Sequence, residues 1–248
     1  MKMLVQVLVL AALSPFLLCA STAYAATPIT LDGSFGDWAG KPHIEDPIGD
    51  TDVSAADVSR LYFANNDDDP SMYFMVERVQ VPSPTVHTLF IDVNNNGLFE
   101  DPVDAQIRVS HHPTGQVTVA VFVGTQPVAV YSGRWGDRAP AGALRCEWSV
   151  PFEDLNISPG QVIRLVLFTT TQALAPEDST FANHMALVEA GQSDRVPDTG
   201  DLQWAPVPIL SLWGNAALYL FCCLLAYRYY YRRLRVPLRT TFSTVRRS

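Results

Sequence analysis

A loop of alternating oxygen-bearing residues is the part of the sequence whose spacing most strongly suggests chemistry. Oxygen side chains stand at every second position from Asp92, and Gly97 follows them. A loop wraps a hard cation such as calcium in this way, with a glycine at the sharp turn. The predicted calcium ligands are Asp92, Asn94, Asn96, the carbonyl of Leu98, Asp101 and Asp104.

This loop departs from an EF-hand at its twelfth position. Val103 stands where a bidentate glutamate is needed, and the flanking residues have the alternation of strands rather than helices. Asp101 or Asp104 would therefore complete a different geometry. The alternative interpretation is an Asn/Gly-rich hairpin turn whose side chains hydrogen-bond to their own backbone.

A second group of acids surrounds Gly49 and is a second candidate for calcium. Its members are Glu45, Asp46, Asp50 and Asp52. The sequence favours no enzyme, because it contains no G-x-S-x-G, no HExxH and no phosphate-binding loop. Carboxylates in predicted turns are typical of solvated or ion-binding side chains, so no catalytic residues are predicted.

The two ends of the chain predict an exported, membrane-anchored protein. Residues 1–25 have the pattern of a cleaved signal peptide, with an uncleaved anchor as the alternative. Residues 207–227 are long and apolar enough for a transmembrane helix, and the tail 228–248 contains arginines and no acid. Basic flanks stay in the cytoplasm, so the N-terminal part is expected outside, on a single-pass protein of the cell membrane.

The predicted outer segment is strongly acidic. It contains all 25 acidic residues and nine of the 17 basic ones, which gives 9 − 25 = −16, whereas the tail carries seven arginines. This charge disfavours nucleic acid as a partner, because phosphates attract the opposite sign. Cys146 is the one cysteine expected in this segment, so no internal disulfide is predicted, and its alternation with apolar neighbours indicates a buried strand residue.

Period-two patterns between turn-forming residues predict an all-β ectodomain over 26–190. The expected architecture is an antiparallel, jelly-roll-like β-sandwich with one short helical turn at 152–155 and a stalk at 191–206. The predicted strands are 58–65, 72–79, 88–93, 105–110, 117–123, 128–132, 144–150 and 162–170.

Five short motifs, in order along the chain, carry a family resemblance. They lie at 29–38 (with Gly36-Asp37-Trp38), 46–50, 72–74, 89–97 and 147–152. Together they resemble family 9 carbohydrate-binding modules and their DOMON-like relatives, over roughly residues 27–190. The resemblance implies a β-sandwich, often stabilised by calcium, that binds sugars in several relatives and haem in others.

Sugar binding in family 9 uses aromatic clamps, because sugars stack on aromatic faces. Trp135 and Tyr131 are the predicted ligand-binding residues, and packing of Trp135 over a sandwich edge is the alternative. Haem would need an axial methionine with a histidine or lysine, and no spacing selects such a pair, so haem is not expected.

The sequence leaves three functions open. The first is a cell-surface, calcium-stabilised binding module for carbohydrate, the second is a structural scaffold that binds another envelope protein, and the third is a haem-binding electron-transfer domain. Residues 196–200, Val-Pro-Asp-Thr-Gly, also resemble a sortase signal. Sortase cleavage there would attach the domain to the cell wall rather than leave it in the membrane.

Overall fold

The computed structural model describes residues 27–66, 69–79, 83–137, 144–158, 160–175 and 178–203, which belong to the first compact unit of the chain, Met1–Ala205. The predicted signal peptide, transmembrane helix and basic tail lie outside the described residues. Within those residues, none of the helices has the length and apolar character needed to cross a membrane.

Two antiparallel sheets form the fold. The smaller sheet has the order β1-β2-β3-β8, and the larger has the order β10-β9-β4-β5-β6-β7, with β11 pairing separately with β9. The strands are β1 His43–Glu45, β2 Val58–Asn66, β3 Asp69–Arg78, β4 Thr85–Asp92, β5 Ala105–His111, β6 Val117–Val123, β7 Gln126–Gly133, β8 Arg145–Pro151, β9 Val162–Thr170, β10 Asp194–Val196 and β11 Leu202–Gln203.

The core lies between the two sheets because alternate side chains of each strand point inward. In β6, Val117, Val119 and Val121 are buried, while the intervening residues are more exposed. From the smaller sheet, Phe74 stacks on Trp148 with ring centroids 5.5 Å apart. Burial of a side chain of this size stabilises the fold by about 1.5–3 kcal/mol.

All eight predicted strands are confirmed, and the predicted helical turn at 152–155 is a 3-10 helix, Phe152–Leu155. The predictions missed the short strands β1, β10 and β11 and a true α-helix, α1, Phe181–Glu189. Thr180 caps this helix, since its side chain accepts a hydrogen bond from the backbone N–H of Asn183.

Helix α1 covers part of the outer face of the larger sheet. Phe90 and Phe168 are buried there, and Phe181 packs edge-on against both, with centroid distances of 5.5 and 5.4 Å. The outer face of β4 and β9 is apolar at this point, and the helix removes this apolar surface from solvent.

The segment predicted as a stalk continues the sandwich through residue 203. β10 pairs with β9, placing Val196 opposite Leu167, and β11 pairs with β9 further along. Val196 is buried, and Thr199 exchanges backbone and side-chain hydrogen bonds with Leu165. The resemblance to a sortase signal therefore falls on residues that are bonded to the larger sheet.

A buried glutamate fastens the N-terminal segment to the smaller sheet. Glu147 accepts hydrogen bonds from the backbone N–H groups of Asp32 and Gly33 and from the indole of Trp38, at 2.9, 2.8 and 2.8 Å. Gly33 has a φ of +77°, a conformation that favours glycine. Burial raises the pKa of Glu147 to about 7, although the three donors oppose this rise.

Candidate metal site and binding cleft

Three carboxylates from distant parts of the chain meet beside the start of β2. Asp46 follows β1, Asp50 lies in the loop after it, and Asp194 begins β10. One oxygen from each of the three groups lies within 4.8 Å of the others. The loop is held against the segment before β10, since the backbone N–H of Asp52 donates to the carbonyl of Gly191 at 3.1 Å.

Two of these carboxylates are buried, and one of them accepts no hydrogen bond from an N–H or hydroxyl group. Asp46 is 7% exposed, and the one hydrogen-bonding neighbour of its carboxylate among the described residues is the carboxyl group of Asp194, which requires a proton between the two. Asp194 is 2% exposed and is better satisfied, because it accepts hydrogen bonds from the backbone of Val58 and Arg195 at 2.6 and 2.7 Å. A buried carboxylate without donors is costly and needs a proton or a cation.

The electrostatics of the cluster also indicate that Asp46 needs a proton or a cation. Burial, followed by the negative charges of Asp194 and Asp50, raises the pKa of Asp46. Burial also raises the pKa of Asp194, although its backbone hydrogen bonds oppose the rise. Asp57, 4% exposed, adds a further negative charge that acts on Asp46. A divalent cation would neutralise this concentration of charge.

The cluster overlaps only partly with the acidic group expected from the sequence. Asp46 and Asp50 belong to it, whereas the carboxylate of Glu45 is exposed and lies 3.7 Å from Arg60. Sequence reasoning missed Asp57 and Asp194. Asp57 stands only seven residues after Asp50, in the same acidic stretch, but nothing in the sequence connects Asp194 with this loop.

The loop after β4 holds its shape through its carboxylates. Asp92 accepts hydrogen bonds from the backbone of Asn96 and Gly97 at 3.1 and 2.7 Å. Asp104 accepts from the backbone of Val93 and Asp101 at 3.0 and 2.8 Å. Such hydrogen bonds from backbone to side chain within one loop are those expected if the loop is an Asn/Gly-rich turn that binds no ion.

Other predicted ligands of this loop also lie close together. The Asp101 carboxylate contacts the side-chain amides of Asn94 and Asn96, at 3.1 and 2.5 Å. The side chain of Leu98 is exposed, and its N–H donates to the side chain of Asn96. Calcium in this loop stays a prediction.

Trp135 and Tyr131 are half-buried and pack against the central core. A Cβ added at Gly133 would lie 2.1 Å from the Trp135 ring, so that ring lies directly over the end of β7. The Tyr131 hydroxyl donates to the carboxylate of Asp154. This placement agrees with the packing alternative, and sugar binding by these two residues stays a prediction.

A cleft of about 770 Å³ opens on the outer face of the larger sheet, beside the loop that follows β4. This volume is in the range of sites for small organic ligands. Its lining includes Phe99, Glu100, Gln106, Arg108, Phe122 and Thr180. Gln106 and Arg108 project outward from β5, and sequence reasoning missed them although they alternate with buried residues.

The polar groups of this cleft are held in fixed orientations. The Gln106 amide donates to the carbonyl of Ser179 at 2.7 Å, and its oxygen accepts two bonds from Arg108 at 2.9 and 2.7 Å. The Arg108 guanidinium lies 4.3 Å from the centre of the Phe122 ring. A flat cation, an amide and an aromatic ring are thus combined on one surface.

Comparisons with protein-family models, with curated proteins and with solved structures found no match to this chain.

Proposed function

We propose that this chain is a non-catalytic binding module that calcium stabilises and that is displayed at the cell surface on a single membrane span. The observation that carries the proposal is the buried carboxylate of Asp46, which has no N–H or hydroxyl donor and lies beside Asp50 and Asp194. The resemblance of the motifs to family 9 modules and DOMON-like domains, one of which is the 46–50 segment of this cluster, agrees with the proposal, as do the predicted signal peptide and span.

Calcium suits this cluster better than softer metals do. The converging ligands are all carboxylate oxygens, and calcium accepts six to eight oxygen ligands in flexible geometry. Water and backbone carbonyls would complete the shell. The ion would join the loop after β1 to the start of β10, and thereby fasten the last part of the domain to its first strands.

Calorimetric titration of calcium into the chelator-treated protein tests the metal site. Asp46→Asn keeps the size of the side chain and removes the charge, so it is expected to abolish one calcium-binding event. Asp178→Asn is the matched control, because Asp178 is exposed and lies outside the cluster. An undiminished calcium stoichiometry in Asp46→Asn would refute the assignment to this cluster.

The proposed ligand is a carbohydrate, bound in the cleft on the outer face of the larger sheet. Phe122 lines the cleft with an aromatic ring for the apolar C–H groups of a sugar, and the Arg108 guanidinium beside it offers donors for the sugar hydroxyls. The Gln106 amide is bonded to Ser179 and Arg108, so it orients the guanidinium and does not itself bind the sugar. Because these groups are already oriented by one another, little side-chain ordering is needed on binding.

Glycan-array binding by the purified full-length protein tests the ligand. Loss of the Arg108 contacts in Arg108→Ala is expected to weaken binding about 10–100-fold, the equivalent of one charged hydrogen bond. The exposed His112→Ala is the control. Loss of binding in Trp135→Ala alone would move the sugar to Trp135 and Tyr131, and no glycan binding by wild type would refute the carbohydrate proposal.

One observation favours the scaffold as a second candidate. In the described part of the larger sheet, β7 is an edge strand, and it exposes Val128 and Val130 by 46% and 69%. Edge strands with apolar side chains are suited to pairing with a strand of another protein. Cross-linking in intact cells, with Val130→Lys as the comparison, would detect such a partner and its dependence on this edge.

A further inference from the structure

Three potential metal ligands lie together inside the sandwich, apart from the carboxylate cluster. His87 comes from β4, His111 from β5 and Cys146 from β8. One ligand atom of each lies within 4.8 Å of the others, and the side chains are 0%, 1% and 1% exposed. The two sheets therefore bring two imidazoles and one thiol to a single point in the interior.

One of these side chains lacks the hydrogen bonds that a buried polar group needs. Within the described residues, the two ring nitrogens of His111 have at most one hydrogen-bond partner between them, a backbone group of Asp137. Its Nε2 lies close to the backbone, since a Cβ added at Gly136 would stand only 2.4 Å away. Buried polar groups without partners are rare in folded proteins and indicate an unseen water or ion.

A hydrogen bond to a neighbouring strand fixes the orientation of the second histidine ring. His87 Nδ1 lies 2.9 Å from the hydroxyl of Thr169, on the neighbouring strand β9, and its Nε2, the nitrogen left for the ion, has a longer contact of 3.5 Å with the hydroxyl of Thr85. Histidines that bind metals usually use one ring nitrogen for the metal and hydrogen-bond the other, which fixes the ring. Thr169 fits this positioning role.

A buried positive charge limits which ion fits. The Arg78 side chain is 2% exposed, and its guanidinium donates to the carbonyls of Ala55 and Ser83. Burial raises the pKa of the Cys146 thiol to about 12, and the charge of Arg78 opposes this rise; burial and the same charge lower the pKa of both histidines. A divalent ion would add excess positive charge here, whereas a monovalent ion with one thiolate is neutral.

We propose that His87, His111 and Cys146 bind one Cu(I) ion. Thiolate and imidazole are the ligands that copper prefers, and Cu(I) is soft and monovalent. Zinc would favour a fourth ligand in tetrahedral geometry, and the described residues supply three. On binding, the Cys146 thiol loses its proton to solvent and forms a Cu–S bond, while both imidazoles stay neutral.

Because the ligands are buried, the ion is expected to enter during folding. The test is therefore expression in copper-supplemented medium, followed by purification of the full chain and measurement of its copper content. Cys19, Cys222 and Cys223 would be replaced by serine in every sample, so that Cys146 is the only thiol present. One copper per chain is expected, with one sulfur and two nitrogen neighbours by X-ray absorption.

Three variants separate a metal site from a packed polar core. Cys146→Ser is expected to purify with almost no copper, and Thr169→Val with less copper per chain than the parent, since loss of a group that orients a ligand usually weakens metal binding about 10–100-fold. His112→Ala, the exposed neighbour of His111, should bind copper as the parent does. Should Cys146→Ser fail to fold, Thr169→Val carries the comparison. Parent protein without copper, or equal copper in all variants, would overturn the proposal.

Discussion

Removal of calcium is the perturbation that tests the carboxylate cluster most directly. An ion that binds the folded protein and not the unfolded chain stabilises the fold by RT ln(1 + [Ca]/Kd), and this relation gives the effect expected of calcium at the proposed site. Extracellular calcium modules have Kd values of about 10⁻⁴–10⁻³ M. With a Kd of about 0.1 mM and about 2 mM free calcium, the stabilisation is about 1.8 kcal/mol.

This free energy translates into a measurable melting shift. One kcal/mol corresponds to about 2–4 °C in a domain of this size, so chelation should lower Tm by about 4–7 °C. The assay is thermal unfolding followed by circular dichroism, with calcium or with excess chelator. Asp178→Asn should shift as wild type does.

The Asp46→Asn variant distinguishes loss of the calcium site from general damage to the fold, because the two predict opposite changes in stability without calcium. Without calcium, the variant should be at least as stable as wild type, because a neutral amide needs neither a proton nor a cation to be buried beside Asp50 and Asp194. With calcium, it should not gain stability. A full calcium shift in Asp46→Asn, together with its loss in Asp101→Asn, would refute this reasoning and assign the ion to the loop after β4.

The remaining predictions concern pH and packing. Folding raises the pKa of Asp46 and of Asp194, so the folded state binds more protons than the unfolded chain. Without calcium, the free energy of unfolding should therefore fall as pH rises above about 4, by up to about 1.4 kcal/mol per pH unit for each proton. Asp46→Asn should flatten this dependence of stability on pH. Phe168→Ala should cost about 3–5 kcal/mol in urea unfolding, because Phe168 is fully buried under α1; an effect below 1 kcal/mol would contradict this packing. Gly33→Ala should destabilise the fold by about 1–2 kcal/mol by the same measurement, because the left-handed conformation is unfavourable for alanine and its Cβ would lie 3.1 Å from the carbonyl of Arg134. An unchanged unfolding midpoint would show that this segment relaxes around the added methyl group.

The helix α1 illustrates why some elements escaped prediction. Its nine residues are short, and only its contacts with Phe90 and Phe168 give them a buried face. Isolated helices of this length are marginal in water, so tertiary packing stabilises this one. β10 was missed for a similar reason, because its three residues are too few for a pattern and acquire their structure by pairing with β9.

The sequence alone determined the strands and the two-sheet architecture, because inward and outward positions alternate with a period of two along each strand. β6 has the predicted bounds, Val117–Val123, with its inner valines buried. Local spacing also predicted candidate calcium ligands in the oxygen-rich loop after β4 and at Asp46 and Asp50.

Only the tertiary structure decided which groups share a site. Asp194 joins Asp46 because β10 lies beside the start of β2, and the backbone N–H of Val58 donates to it across 136 residues. His87, His111 and Cys146 meet because two sheets close on one another, and the cleft exists because α1 covers only part of a sheet. Such contacts depend on strand order and on sheet packing, and neither is recorded in the spacing of residues along the chain.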